Sequence, residues 1–275
     1  MGGFSTPSNA VGAGPLPSTV VSTDMGTGPT PVVLAVQNDS TDPPQLVGQW
    51  LAEAGITVQV IEACFGEQVP AAVPPGIHGV LALGGVMGAG DDGVAPWLVA
   101  ERALLADATH RSIPVLGLCL GAQLLAAATG GRVELGPVPE IGVVSVFRTL
   151  EGLADPVIGA VGAPSDDIPA GQWHQDHIVA LPDDGVLLLT NEVCRVQGFR
   201  VGDNAYGLQM HPEIDADIFA SWADLADEVL NRSGCDIDSA CEQFRRSEPE
   251  LIRTWRPMTR AWADLVWQYA TPGSR

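Results

Sequence analysis

Lysine is absent: all 13 basic residues of this 275-residue chain are arginine. That excludes a phosphate-loop lysine on a nucleotide, a Schiff-base lysine for a pyridoxal cofactor and a lysine general base. Positive charge is scarce altogether. Thirteen arginines stand against 33 acids, a formal net charge of −20, which argues against a nucleic-acid footprint and against an anionic membrane surface. Paired cysteines are also missing. Cys64, Cys119, Cys194, Cys235 and Cys241 are odd in number and form no C-x-x-C, so neither a disulfide framework nor a zinc ribbon is expected. No basic-then-apolar leader opens the chain and no run of about 18 apolar residues interrupts it, so the expected setting is cytoplasmic.

What is present reads as globular, with 46% hydrophobic and 17% charged residues. Residues 1–30 are mostly Gly, Pro, Ser, Thr and small apolar residues, and are expected to form a flexible tail. Residues 31–231 read as one domain. Residues 232–275 carry seven arginines and six acids, a net of +1, and read as a helical extension packed on that domain; the acidity belongs to the rest.

Short apolar runs at 31–37, 56–61, 79–83 and 114–118 have the composition of strands buried on both faces. Helical spacing at 45–54, 96–108 and 121–129 alternates with them, closed by Gly55 and by Gly130-Gly131. Alternation of this kind predicts an α/β fold, a mostly parallel central sheet flanked by helices. After Gly131 come shorter β runs at 132–135, 142–147, 177–181, 185–190, 196–201 and 205–209, expected to form an antiparallel or mixed extension. Helix returns at 214–230 and at 237–270, where Pro257 is expected to kink or break it.

The densest chemical signal is Pro114-Val-Leu-Gly117-Leu-Cys119-Leu-Gly121-Ala-Gln123. A buried strand runs through G-x-C-x-G straight into a helix, the cysteine form of a nucleophile elbow. Side chains two residues before and after the cysteine would clash in so tight a turn. The thiol is thereby presented at a helix amino terminus, where the dipole and free N–H groups favour thiolate. The competing reading is an inert buried cysteine. A nucleophile needs a base and an acceptor to orient it. The run 205–209 leads into Met210-His211-Pro212-Glu213, which places His211 at a strand end and lets Glu213 accept from the ring. At the end of another strand, Gly84-Gly85 can bring backbone N–H groups close to a ligand and, with the Leu120 N–H, form an oxyanion hole. His174, Asp176 and His177 invite a metal, but no further ligand set has metal spacing, so neither a metal nor a cofactor is assigned.

With these pieces in order, the chain resembles the class I, triad-type glutamine amidotransferases of the stand-alone kind, similar to the glutaminase domain of GMP synthase. The resemblance is carried by Gly84-Gly85, Asp91-Asp92, Pro96-Trp97-Leu98, Glu101, the Cys119 elbow, Gly130-Gly131, Gln172–Asp176, Val196–Arg200 and Gly207–Glu213, across about residues 32–215. It implies a flavodoxin-like fold. It implies that Cys119 attacks a side-chain amide to form a γ-glutamyl thioester, that His211 moves the proton and that Glu213 orients His211. Gly85 and Leu120 would hold the oxyanion. Gly84, Gln123, Trp173, His174 and Gln175 would bind the substrate. Three positions depart from the family pattern: Val86 where proline usually follows the glycines, Ala122 before Gln123, and Gln175 where glycine is common.

Three readings follow. One is a glutamine hydrolase that passes ammonia to a separate synthase. Another is a γ-glutamyl peptidase or hydrolase acting on a different γ-glutamyl compound. The last is a binding or regulatory protein on the same fold, which the complete Cys119–His211–Glu213 set argues against. The partner in the first two is a small molecule; oligomeric state has no sequence signal.

Overall fold

The computed structural model describes residues 30–223 and 227–271; the expected tail, Thr30 apart, lies outside them. In chain order the elements are β1 (Val32–Gln37), α1 (Gln45–Glu53), β2 (Thr57–Glu62), β3 (Gly79–Ala82), α2 (Trp97–His110), β4 (Val115–Leu118), α3 (Leu120–Ala128), β5 (Arg132–Arg148), α4 (Leu150–Ala154), β6 (Ile168–Ala180), β7 (Gly185–Thr190), β8 (Gly198–Val201), β9 (Ala205–Leu208), α5 (Ala216–Trp222), α6 (Asp227–Ser233) and α7 (Ile237–Ala270). The strands form one sheet in the order β2-β1-β3-β4-β9-β8-β7-β5-β6. The five strands from β2 to β9 are mutually parallel, and every pairing from β9 onward to β6 is antiparallel. The expected α/β plan with an antiparallel extension is what the chain adopts.

Period-two alternation explains the layering. In β1, Val33 and Ala35 join the core on one face, with Trp50 and Leu51 of α1 and Trp255, Met258 and Trp262 of α7. Leu34 and Val36 point to the other face and pack with Leu98, Leu104 and Leu105 of α2 and Leu124 of α3. Because both faces are covered, the inner parallel strands β3 and β4 are apolar and buried throughout, whereas β2 at the edge of the sheet is polar and exposed at alternate positions.

Some expectations need correcting. β5 is one irregular strand rather than two, with its pairing to β6 shifting register between Leu135 and Glu140, across Gly136-Pro137 and Pro139. β6 begins at Ile168, nine residues before the expected start, so the segment Trp173–Gln175 lies within a strand. Of the kink or break expected at Pro257, the break does not occur: α7 continues through both Pro249 and Pro257. Proline inside a helix costs about 3 kcal/mol. Here the cost is offset by burial of Leu251, Trp255, Met258, Trp262 and Val266 along one face. The Gly162 N–H also donates to the Thr254 carbonyl at 2.8 Å, in the turn that Pro257 disturbs. α7 therefore covers one face of the sheet, and the indoles of Trp255 and Trp262 donate to the Pro169 and Val115 carbonyls at 2.9 and 3.1 Å.

Candidate active site

β4 and β9 pair in parallel with Leu118 opposite Leu208, so both chains leave the sheet at the same carboxyl edge. Cys119 follows β4, and its N–H donates to the Leu208 carbonyl at 2.8 Å. Cys119 has φ 49°, ψ −107°, a left-handed conformation that costs a non-glycine residue free energy and is kept by the packing around it. Both elbow glycines are sterically required. A Cβ on Gly121 would lie 2.1 Å from the Ala82 carbonyl oxygen, and one on Gly117 would lie 2.6 Å from the Gly121 oxygen. Cys119 is the cap residue of α3, and Leu120, its first residue, has an N–H with no acceptor inside the helix.

Three residues beyond Leu208, the His211 N–H is fixed by the Gly171 carbonyl of β6 at 2.9 Å. The His211 Nδ1–H donates to Glu213 Oε1 at 2.7 Å, which leaves Nε2 for chemistry. Nε2 is buried and makes no conventional hydrogen bond among the described residues. Burial alone would lower the imidazole pKa, but the charges of Cys119 and Glu213 more than reverse this and hold it well above the usual range. The resting pair therefore favours imidazolium beside the sulfur. Trp222 of α5 stands edge-on to the His211 ring, centroids 4.8 Å apart, and Trp173 meets both Trp222 and Phe219 edge-on.

A cavity of about 250 Å³ opens over Cys119. Seven of the sequence-predicted site residues line it: Gly85, Cys119, Gln123, Trp173, His174, Gln175 and His211. Gly84 lies behind the His211 ring; a Cβ there would fall 3.0 Å from His211 Cε1 and 2.1 Å from an Asp42 oxygen. Gly85 and Leu120 are adjacent, since a Cβ on Gly85 would be 3.1 Å from Leu120 Cδ2. Their N–H groups belong to the two backbone turns that flank the thiol. Gln123 donates to the Asp176 carbonyl at 3.2 Å and to Gln209 Oε1 at 3.3 Å, and Gln209 in turn donates to Cys119 Sγ at 3.7 Å. The thiol itself points to the Trp173 carbonyl, 3.9 Å away.

His174 lines the cavity, and its side chain has partners of its own. Its ring turns into a buried network, with Nδ1 3.0 Å from the Asp176 carbonyl and Nε2 3.2 Å from Glu140. Asn191 and Gln197 also donate to Glu140, each at 2.7 Å. Burial would raise the Glu140 pKa, but His174, Asn191 and Gln197 outweigh it and hold the carboxyl below its ordinary value. Glu140, His174 and Cys194 have enough donor atoms in reach of one another for a metal, as do Asp42, His211 and Glu213. In both groups the histidine already engages the glutamate, so neither is read as a metal centre.

Several residues at the site were not singled out from the sequence: Asp42, Gln209, Glu140 and Trp222. Gln209 had a usable signal, because it lies two residues before His211 at the end of the strand that pairs with the elbow strand. Asp42 had none, being one acid in the polar loop Asn38-Asp-Ser-Thr-Asp42 after β1.

An open α/β sheet that presents a cysteine elbow and a His-x-Glu pair at one carboxyl edge defines the triad-type cysteine class of site. The chain belongs to the glutamine amidotransferase class-I family, whose model matches residues 45–219. It is 43% identical over 103 residues to a glutamine-hydrolyzing GMP synthase subunit of Natronomonas pharaonis, covering 37% of this chain and 53% of that protein. It is 28% identical over 166 residues to gamma-glutamyl peptidase 3 of Arabidopsis thaliana, covering 58% and 65%. The chain thus spans between about half and two thirds of the length of these curated relatives. A solved glutamine amidotransferase of Thermotoga maritima superposes with a TM-score of 0.72 at 27% identity, covering 86% of this chain and 98% of that one.

Proposed function

We propose that the protein is a cysteine-dependent hydrolase of γ-glutamyl amides, glutamine first among them, and that the ammonia released passes to a separate synthase. The observation that carries this reading is the left-handed Cys119 on its elbow with His211 oriented by Glu213 at 2.7 Å. Cys119 Sγ attacks the γ-carbonyl carbon, the C–S bond forms, and the carbonyl π electrons move onto oxygen. The N–H groups of Gly85 and Leu120 receive that charge. Collapse breaks the C–N bond, and the leaving nitrogen takes the proton from His211 Nε2. A water then gives its proton to His211 and attacks the thioester carbon, releasing glutamate and restoring the thiolate. Kinship to a subunit of GMP synthase supports a synthase partner. Five unpaired cysteines fit a cytoplasmic setting.

Kinship to a gamma-glutamyl peptidase supports a second reading, in which the γ-glutamyl compound is a peptide rather than glutamine. One assay decides among the possibilities: ammonia release from glutamine beside glutamate release from γ-glutamyl peptides, for the protein and for Cys119→Ala. Hydrolysis of either substrate that disappears in the variant bears out the mechanism. Hydrolysis that survives in the variant, or none from a protein whose Cys119 fails to react with iodoacetamide, overturns it.

A further inference from the structure

Asp42 is an acid without an obvious reason to be where it is. It is only 2% exposed, and both of its carboxyl oxygens lack a conventional hydrogen-bond partner among the described residues. Glu213 has the same deficit on one side: Oε1 takes the His211 proton, while Oε2 is buried and unpartnered. The two deficits adjoin. One oxygen of Asp42, one of Glu213 and a ring nitrogen of His211 all lie within 4.8 Å of one another, and Asp42 Oδ2 is 4.0 Å from His211 Nδ1. The loop that carries Asp42 is held in place from both flanks. Trp222 Nε1 donates to the Thr41 carbonyl at 3.1 Å, and the Leu46 N–H at the start of α1 donates to the Glu213 carbonyl at 2.8 Å. Gly84 leaves the space, since any side chain there would collide with the Asp42 carboxyl.

Two carboxylates buried this close do not both ionise. One proton resolves the arrangement. If Asp42 carries it, its O–H has an acceptor in Glu213 Oε2, and Glu213 remains the anion that His211 needs. We propose that Asp42 is a positioning residue of the triad: it donates a hydrogen bond to the free oxygen of Glu213 and locks that carboxylate in the orientation that holds the His211 ring. Burial first, and the negative charge of Glu213 second, drive the Asp42 pKa well above its ordinary value, with His211 opposing. Besides these, Asp39 is the titratable group that acts on Asp42, and it too favours the protonated form. The consequence is a cluster in which one carboxylate, not two, faces the imidazolium.

This inference rests on the hydrolase reading, and the test separates the two. Asparagine keeps the donor without the charge, whereas alanine removes both. Against a γ-glutamyl substrate, Asp42→Ala is expected to lower kcat by about 10- to 100-fold, the effect of losing a hydrogen bond to a charged group, with KM unchanged. Asp42→Asn is expected to restore kcat to within about threefold of the parent. In a Glu213→Gln background, Asp42→Ala is expected to add little, because the two residues act as one unit. Infrared spectroscopy supplies a readout independent of turnover: in a Glu101→Gln background, a protonated-carboxyl carbonyl band at neutral pH that disappears on Asp42→Asn. Asn as damaging as Ala overturns the proposal, since it would mean that the charge is what matters. So does a change confined to KM, which would make Asp42 a substrate contact, and so does an infrared band that survives Asp42→Asn in the Glu101→Gln background. Absence of hydrolysis in the parent protein would overturn the hydrolase reading while the infrared band still decides the protonation of Asp42.

Discussion

Glu101 on α2 is wholly buried, and its burial sets up a stability experiment with a calculable slope. Asn38 Nδ2 donates to its Oε1 at 3.2 Å, while Oε2 has no partner among the described residues. Burial pushes its pKa from 4.5 up to about 8, despite the opposing Asn38 hydrogen bond and the Arg102 charge. In the fold Glu101 therefore holds a proton at neutral pH that it loses on unfolding. A group whose pKa is raised by folding contributes stability below its unfolded pKa and loses it as pH climbs to the folded value. The loss runs at about 1.4 kcal/mol per pH unit, so roughly 5 kcal/mol disappears between pH 4.5 and about 8. Glu101→Gln cannot ionise. Whatever fixed cost its amide incurs, about 1–3 kcal/mol for an unpaired N–H, does not vary with pH. Urea unfolding followed by tryptophan fluorescence at several pH values is expected to show Glu101→Gln gaining on the parent steadily from pH 4.5 to about 8 and then levelling. A difference that stays constant across that range refutes the reasoning. The stakes reach the active site, because the same Asn38 amide donates to the Leu83 carbonyl at 3.1 Å, one residue before Gly84-Gly85, and its oxygen accepts from Trp97 Nε1.

Three further outcomes are expected. Gly121→Ala should destabilise the protein by at least about 1–3 kcal/mol, because its Cβ meets the Ala82 carbonyl at 2.1 Å; an unchanged melting temperature would refute the steric account of the elbow. With His211 held protonated by its anionic neighbours, Cys119 should alkylate with iodoacetamide at pH 7 about tenfold or more faster than it does in His211→Gln; equal rates would refute the pairing. Trp262→Ala should cost about 3–5 kcal/mol in urea unfolding, since the indole is fully buried and donates to the β4 backbone; a negligible loss would mean that α7 is not part of the core.

The inner parallel strands β3 and β4 were legible because burial on both faces leaves them as unbroken apolar runs, and the elbow because two glycines are sterically forced around Cys119. The first half of β6 was not legible for the opposite reason. Gln172 and His174 are buried there but polar, and they hydrogen-bond to partners distant in sequence: the Gln172 amide donates to Gln197, and His174 meets Glu140. A strand whose buried side is a hydrogen-bond network shows no hydrophobic period. The continuity of α7 was hidden similarly. Local proline chemistry argued for a break, and tertiary burial of two tryptophans prevailed.

The missing lysines return as a constraint on recognition. Among the described residues no arginine lines the cavity over Cys119, whereas Asp39, Asp42 and Asp176 do. The guanidinium beside Gln175, that of Arg232, is taken by Gln175 Oε1 at 2.7 Å and the Gly136 carbonyl at 2.8 Å. On the hydrolase reading, the carboxylate of a γ-glutamyl substrate is then left to uncharged donors, backbone N–H groups among them, as anions are at helix amino termini and in other concave runs of peptide N–H. Its ammonium has Asp39 and Asp176 close by. Such a division explains why Trp173–Gln175 sits on a strand rather than a loop: a recognition surface made of backbone needs the ladder of β5 and β6 to hold it still.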